Sequence, residues 1–253
     1  MQLKLGHLFA DKLNLYGDKG NIASLVYRLK QRSIEVELDE LNDENFSLVD
    51  YDFLFIGGGQ DQEQVAVAEI LKTKKTQLVD FIEASKPMLA ICGGYQLLGE
   101  TYLTSNKEVI EGLGILNVET KARDKNNKKN MQDRLIGNVV AKLNFDLTCG
   151  ADLKTLVGFE NHSGRTYITS LRTTALAQVT QGFGNNDTDK LEGARYKNLF
   201  ASYLHGSLLP KNPHFADEII YLALKAKYGE VEPLAKLDDN IEFAAHKKAL
   251  SLK

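Results

Sequence analysis

The sequence predicts an α/β protein: an open, mostly parallel sheet flanked by helices, with extra strands in the C-terminal half. Three observations carry this. Short apolar runs alternate with helical periodicity through the first hundred residues, two of those runs end directly in glycine clusters, and beyond residue 110 strand-like segments follow one another without regular helices. Leu3 to Phe9 reads as the first strand, and Ile22, Leu25, Val26 and Leu29 recur at helical spacing after Gly20. Ile34 to Leu38 alternates as a second strand. Tyr51 to Ile56 (YDFLFI) is a short apolar run of the kind a buried parallel strand makes, and it enters Gly57-Gly58-Gly59. A helix is expected over Gln64 to Ala84, stopping before Pro87. Met88 to Ile91 is another short buried strand, followed at once by Cys92-Gly93-Gly94 and a new helical start.

Further along, Gly114 to Glu119, Leu135 to Leu143, Thr174 to Thr180 and Leu199 to Tyr203 read as strands, expected to extend the same sheet with functional loops between them. Pro213 to Tyr228 and Ile241 to Leu252 read as helices covering a sheet face. No repeat, Pro-rich linker or low-complexity block divides the chain, so residues 1–253 are expected to form one domain with a sizeable core.

Bulk properties narrow the function. With 43% hydrophobic and 26% charged residues, the composition is that of an ordinary soluble protein. A net charge of −3 gives no pull towards nucleic acid or an anionic membrane. The basic run Lys121, Arg123, Lys125, Lys128 and Lys129 lies among asparagines and reads as a solvated loop. No stretch reaches the roughly 18 apolar residues of a membrane span, and the N-terminus lacks a signal-peptide pattern, so a cytoplasmic location is expected. Two distant cysteines are a poor disulfide framework. No metal is expected either, because His7, His162, His205, His214 and His246 show no ligand spacing with either cysteine. His7 reads as interior, and His214 and His246 as surface residues on helices.

The chemistry concentrates at Cys92. A strand, a sharp turn and a helix around one nucleophilic side chain make a nucleophile elbow, with small neighbours tolerating the strained backbone. The helix N-terminus favours a thiolate, and the N–H of Gly93 is placed to stabilise a tetrahedral oxyanion. Gly57-Gly58-Gly59 follows another strand and can bring further amides to the same sheet edge. Neither a G-x-x-x-x-G-K-[ST] nor a G-x-G-x-x-G pattern is present, so no nucleotide site is expected on this chain. A cysteine nucleophile needs a base brought close by the fold. His205, just after the strand Leu199 to Tyr203, meets that need, and His162 is its rival; residue chemistry alone leaves the choice open.

The run Ala90-Ile91-Cys92-Gly93-Gly94-Tyr95-Gln96-Leu97-Leu98-Gly99 resembles the nucleophile motif of class I glutamine amidotransferases, flavodoxin-like in fold, and within them the branch related to cobyric acid synthase. Gly57 to Gln64 matches the position of that family's oxyanion loop, with Gly58, Gly59 and Gly93 as the implied donors, and Tyr203-Leu204-His205-Gly206 that of its base motif. The resemblance favours His205 as base. It also implies that Gln96, Asn161 and His162 line the glutamine pocket, and that Arg134, two residues before Ile136-Gly137-Asn138, binds substrate. The stretches GFENHSGR (Gly158 to Arg165) and HGSLLP (His205 to Pro210) are similar to glutaminase subunits of lipid II isoglutaminyl synthases. Those subunits form heterodimers with a Mur ligase-like partner (MurT). The resemblance thus implies L-glutamine as substrate, no cofactor in this chain, ATP and Mg on the partner, and lipid II as acceptor.

One position departs from the pattern. Ser207 stands where most class I enzymes carry a glutamate that orients the histidine. Either another carboxylate, such as Asp18 or Glu160, takes that role, or the site works as a Cys-His dyad. Two other readings compete: an amidotransferase for corrinoid side chains, and a non-catalytic binding module on the same scaffold.

Overall fold

A computed structural model of the protein describes residues 1–104, 107–123 and 133–252. Of the basic run, Lys125, Lys128 and Lys129 lie outside these residues. Strand β1 (Gln2–Leu8) lies between β2 (Glu35–Leu41) and β3 (Phe53–Ile56), and β4 (Met88–Ile91) lies beyond β3, all parallel. The crossovers are α1 (Lys19–Gln31) and α2 (Asp61–Glu83), and the short α3 (Gly93–Leu98) follows β4 directly. Every residue of β3 and β4 is buried, which is why both read as unbroken apolar runs. Helix α2 begins three residues before the expected Gln64, with Asp61 and Glu63 favouring its first turn.

The chain then leaves this sheet. It makes β5 (Thr101–Leu103), β6 (Val109–Glu111), β7 (Val118–Ala122) and β8 (Leu135–Leu143). It continues through β9 (Thr155–His162), β10 (Gly164–Ile168), β11 (Ala177–Gln181) and β12 (Leu191–Glu192). It returns in β13 (Ala194–Tyr196) and β14 (Leu199–Ser202), before α4 (Pro213–Tyr228) and α5 (Asn240–Leu250). The large sheet runs β13-β14-β4-β3-β1-β2.

The intervening strands do not extend it, contrary to the sequence expectation. They form two four-stranded sheets of their own, β10-β7-β5-β6 and β12-β11-β8-β9. The cause is local pairing. β13 turns back antiparallel on β14 and closes that edge, while β8 and β9 pair from Leu135 with His162 to Lys142 with Thr155. The strand expected at Gly114 starts only at Val118. The preceding amides of Leu113, Gly114, Ile115 and Leu116 bond instead to the carbonyls that end α3.

His7 is interior as expected, but His214 and His246 are buried too, which corrects their reading as surface residues. Helix α5 packs on the Leu209–Lys211 turn that precedes α4 and on β9, bringing the His246 and His214 rings together. His246 Nδ1 donates to the Lys211 carbonyl at 2.8 Å, leaving Nε2 to accept from the Thr155 hydroxyl at 3.0 Å.

A buried ion cluster fixes α1 against these C-terminal helices. Arg28 Nε lies 2.7 Å from Asp217 of α4, its Nη2 3.0 Å from Asp239, and Arg32 Nη2 2.8 Å from Asp217. The Arg28 side chain is only 2% exposed, and without it Asp239 would be a poorly solvated charge lacking this partner while Asp217 kept Arg32. Arg28→Ala is expected to destabilise the protein by about 3–5 kcal/mol in urea unfolding, whereas Arg172→Ala, at an exposed ion pair, is expected to cost less than about 1 kcal/mol.

Candidate active site

Both glycine loops leave the carboxyl ends of adjacent parallel strands, β3 and β4, where open α/β sheets form their sites. Cys92 takes a left-handed turn, with φ 50° and ψ −101°, which is strained for any residue with a Cβ. Backbone bonds hold it there: its N–H donates to the Ser202 carbonyl at 2.9 Å, and its carbonyl accepts from Gln96 at 3.0 Å. The loops interlock, since Gly94 N–H donates to the Gly57 carbonyl at 3.0 Å. A Cβ on Gly94 would stand 2.9 Å from the Ile56 carbonyl oxygen, so the turn requires glycine.

Cys92 opens onto a cavity of about 710 Å³. Gln96, Arg134, Asn161 and His162 line it, together with Gly59, Gln64 and Tyr16. His205 lies behind the thiol, fully buried after β14, its N–H donated to the Phe159 carbonyl at 2.7 Å. A Cβ at Gly58 would be 3.0 Å from His205 Cε1 and 3.3 Å from Cys92 Cβ, so glycine there lets thiol and imidazole approach. Burial opposes a charge on His205, yet the adjoining Cys92 and Asp18 outweigh it and push the imidazole up to about 10. The nearest carboxylate oxygen, Asp18 Oδ1, is 3.7 Å from His205 Nδ1.

His162 is the opposite case. It stacks on Tyr203 with centroids 3.7 Å apart, and its Nδ1 donates to the Gly164 carbonyl at 2.8 Å. Burial pushes it down to about 3, which keeps it neutral. Of the two histidines, only His205 sits with Cys92 as a charged partner. Glu160 faces His162 at 3.6 Å and accepts from the amides of Phe183 and Gly184, so it is not the carboxylate beside His205.

The oxyanion donors need a correction. The Gly58 N–H is donated to Asp18 Oδ2 at 2.7 Å and does not point a free donor at the cavity. Gly59 and Gly93 remain, and they are adjacent: a Cβ on Gly93 would lie 2.9 Å from Gly59 N.

Around the rim, Arg134 grips Asn161 through Nε to Oδ1 at 2.8 Å and Nη2 to the carbonyl at 2.9 Å. Asn161 Nδ2 in turn donates to the Tyr16 hydroxyl at 2.8 Å. Deeper in, Gln64 Nε2 donates to the Gly59 carbonyl at 3.2 Å and to Gln96 Oε1 at 3.1 Å. Gln96 Nε2 donates to the Tyr203 hydroxyl at 3.1 Å, which meets Thr166 at 2.6 Å. Sequence reasoning placed Gln64 only at the end of the oxyanion-loop match, with no role of its own, and missed Tyr16. Gln64 hides inside the helical periodicity of α2, and Tyr16 reaches the site only through a short left-handed turn, with φ 55°.

Cys149 lies elsewhere, half-buried, and burial pushes its thiol up to about 12, so it is a poor nucleophile. Among the described residues no group of three or more His, Cys, Asp and Glu is placed to hold a metal ion, and no helix is long and apolar enough to cross a membrane.

Residues 4–213 match the CobB/CobQ-like glutamine amidotransferase domain family. The chain belongs to that family. It is 42% identical over 245 residues to the Staphylococcus aureus (strain N315) protein named lipid II isoglutaminyl synthase (glutamine-hydrolyzing) subunit GatD, covering 96% of this chain and 93% of that one. It is 38% identical to the protein of the same name from Streptococcus pneumoniae, covering 94% and 86%. Solved glutamine amidotransferases share the fold. One superposes with TM-score 0.57 at 15% identity over 87% of this chain and 98% of its own. Another, from Thermotoga maritima, gives 0.53 at 14% identity over 98% and 93%.

The strand end that carries His205 is anchored by Glu192, whose Oε1 accepts from the Ser202 hydroxyl at 2.7 Å and from Tyr203 N–H at 3.0 Å. Burial pushes this carboxyl up to about 7, so the folded state holds a proton that the unfolded chain has already lost. Its contribution to stability is present at low pH and lost as pH rises through about 7. Glu192→Gln, which keeps the shape and removes the charge, is therefore expected to gain on the wild type between about pH 4.5 and about pH 7 and to level off above, in denaturant unfolding followed across pH.

Proposed function

We propose that this amidotransferase hydrolyses L-glutamine to glutamate and ammonia through a glutamyl thioester on Cys92. The Cys92 thiolate attacks the side-chain amide carbon, and the Gly59 and Gly93 amides stabilise the oxyanion. The C–N bond breaks as the His205 imidazolium gives its proton to the departing ammonia. Water, deprotonated by the now neutral His205, then cleaves the thioester and releases glutamate. Gln96, Arg134, Asn161 and His162 hold the amino acid in the cavity. Ammonia is productive only if it reaches an acceptor before bulk water protonates it. This favours a heterodimer with a Mur ligase-like subunit that carries ATP and Mg and amidates the D-glutamate of lipid II, in the cytoplasm.

The observation that carries this reading is the close approach of the buried His205 ring and Cys92 over Gly58, with the strained Cys92 turn lining a cavity of about 710 Å³. Similarity to subunits named for lipid II amidation, along nearly the whole chain, supports the acceptor. Cys92→Ala is expected to abolish glutamate release from glutamine. Co-expressed with a Mur ligase-like subunit, the same variant is expected to lose glutamine-dependent amidation of lipid II and retain amidation driven by high ammonium. Glutamine-dependent turnover by Cys92→Ala would overturn the nucleophile assignment.

A further inference from the structure

We infer that Asp18 is the positioning residue for His205, supplying from the start of α1 the carboxylate that the Ser207 position lacks. The inference rests on reading Cys92 and His205 as nucleophile and base, and four contacts carry it. Asp18 is fully buried, and its two oxygens face two parts of the site: Oδ2 accepts the Gly58 N–H at 2.7 Å, and Oδ1 stands 3.7 Å from His205 Nδ1. Among the described residues neither Asp18 Oδ1 nor His205 Nδ1 has a hydrogen-bond partner, so each is the other's nearest recourse in a buried setting.

The surrounding bonds show how the two segments are held together. Ser207 Oγ donates to the Gly17 carbonyl at 2.6 Å, next to Asp18 in sequence. Leu209 N–H donates to Asn21 Oδ1 at 2.9 Å. A Cβ on Gly20 would be 2.8 Å from Ser207 Cβ, so the start of α1 presses directly on the turn after His205. The serine at the glutamate position thus fastens the loop that brings a different carboxylate to the ring. Asp18 also ties the base to the glycine loop through Gly58, so one side chain sets the imidazole direction and the position of Gly59. The titratable groups facing His205 are Cys92 at the end of β4, Asp18 before α1, Tyr16 edge-on at 5.0 Å, and His162 on β9.

Asp18→Asn keeps an oxygen for Gly58 and removes the charge opposite His205. In the full chain, kcat for glutamine hydrolysis is expected to fall on the order of 10²-fold with KM near wild type. The NMR titration of the His205 ring is expected to move to lower pH by about one unit or more. An unchanged titration overturns the assignment, whether or not kcat falls, because a purely structural role would not set the ring's charge. The titration needs no turnover, so a chain inactive towards glutamine still answers it. Should Asp18→Asn not fold, Cys92→Ala with Asp18 intact decides: a protected, downfield His205 Nδ1 proton is expected, and its absence overturns the inference.

Discussion

The left-handed turn at Cys92 is held by strands on both sides, and the site depends on that arrangement. Ser202 of β14 takes the Cys92 amide, Gly57 after β3 takes the Gly94 amide, and the parallel pairing of β3, β4 and β14 sets both loops at one sheet edge. A strained residue survives only where its surroundings over-determine it. Here three neighbouring strands do so, and the same geometry turns the thiol towards the cavity and His205 towards the thiol. Burial opposes a charge on His205, and the adjoining Cys92 and Asp18 push its imidazole up to about 10 against that cost.

The two small sheets build the rest of the cavity. Arg134 precedes β8, Asn161 and His162 end β9, and Thr166 lies on β10, so the cavity wall is assembled on top of Cys92, which the large sheet supplies. The polar chain from Gly59 through Gln64 and Gln96 to Tyr203 and Thr166 joins the two parts. Because Tyr203 also carries the flat face on which His162 rests, a change at Gln96 is felt at both the glycine loop and the pocket wall.

Much of the large sheet was legible in the sequence because buried parallel strands write themselves as apolar runs. FLFI and MLAI needed no context, and α4 ends where Gly229 reaches a positive φ after Tyr228. The small sheets were harder to read. β5 and β6 are three residues each with a single buried side chain, and β9 buries Glu160, which accepts the Phe183 and Gly184 amides, and His162, which lines the cavity, against the pattern that polar residues face water. His214 and His246 misled for a related reason: α5 turns its own His246 inward against His214, Thr155 and Lys211, and nothing local announces where a terminal helix will pack. Cys92 and His205 could be chosen from motif and order, whereas Asp18 was one guess among two until the fold set its carboxylate by the ring and Glu160's away from it.

Treating the protein with a diazoketone analogue of glutamine, and mapping the adduct by peptide mass spectrometry, shows whether the Cys92 thiol is the group that meets the side-chain carbonyl carbon of glutamine. Modification of Cys92 alone is expected, blocked by excess glutamine and lost in His205→Ala, with Cys149 untouched. Labelling of Cys149 at a comparable rate, or glutamine-protected labelling anywhere other than Cys92, would contradict the account.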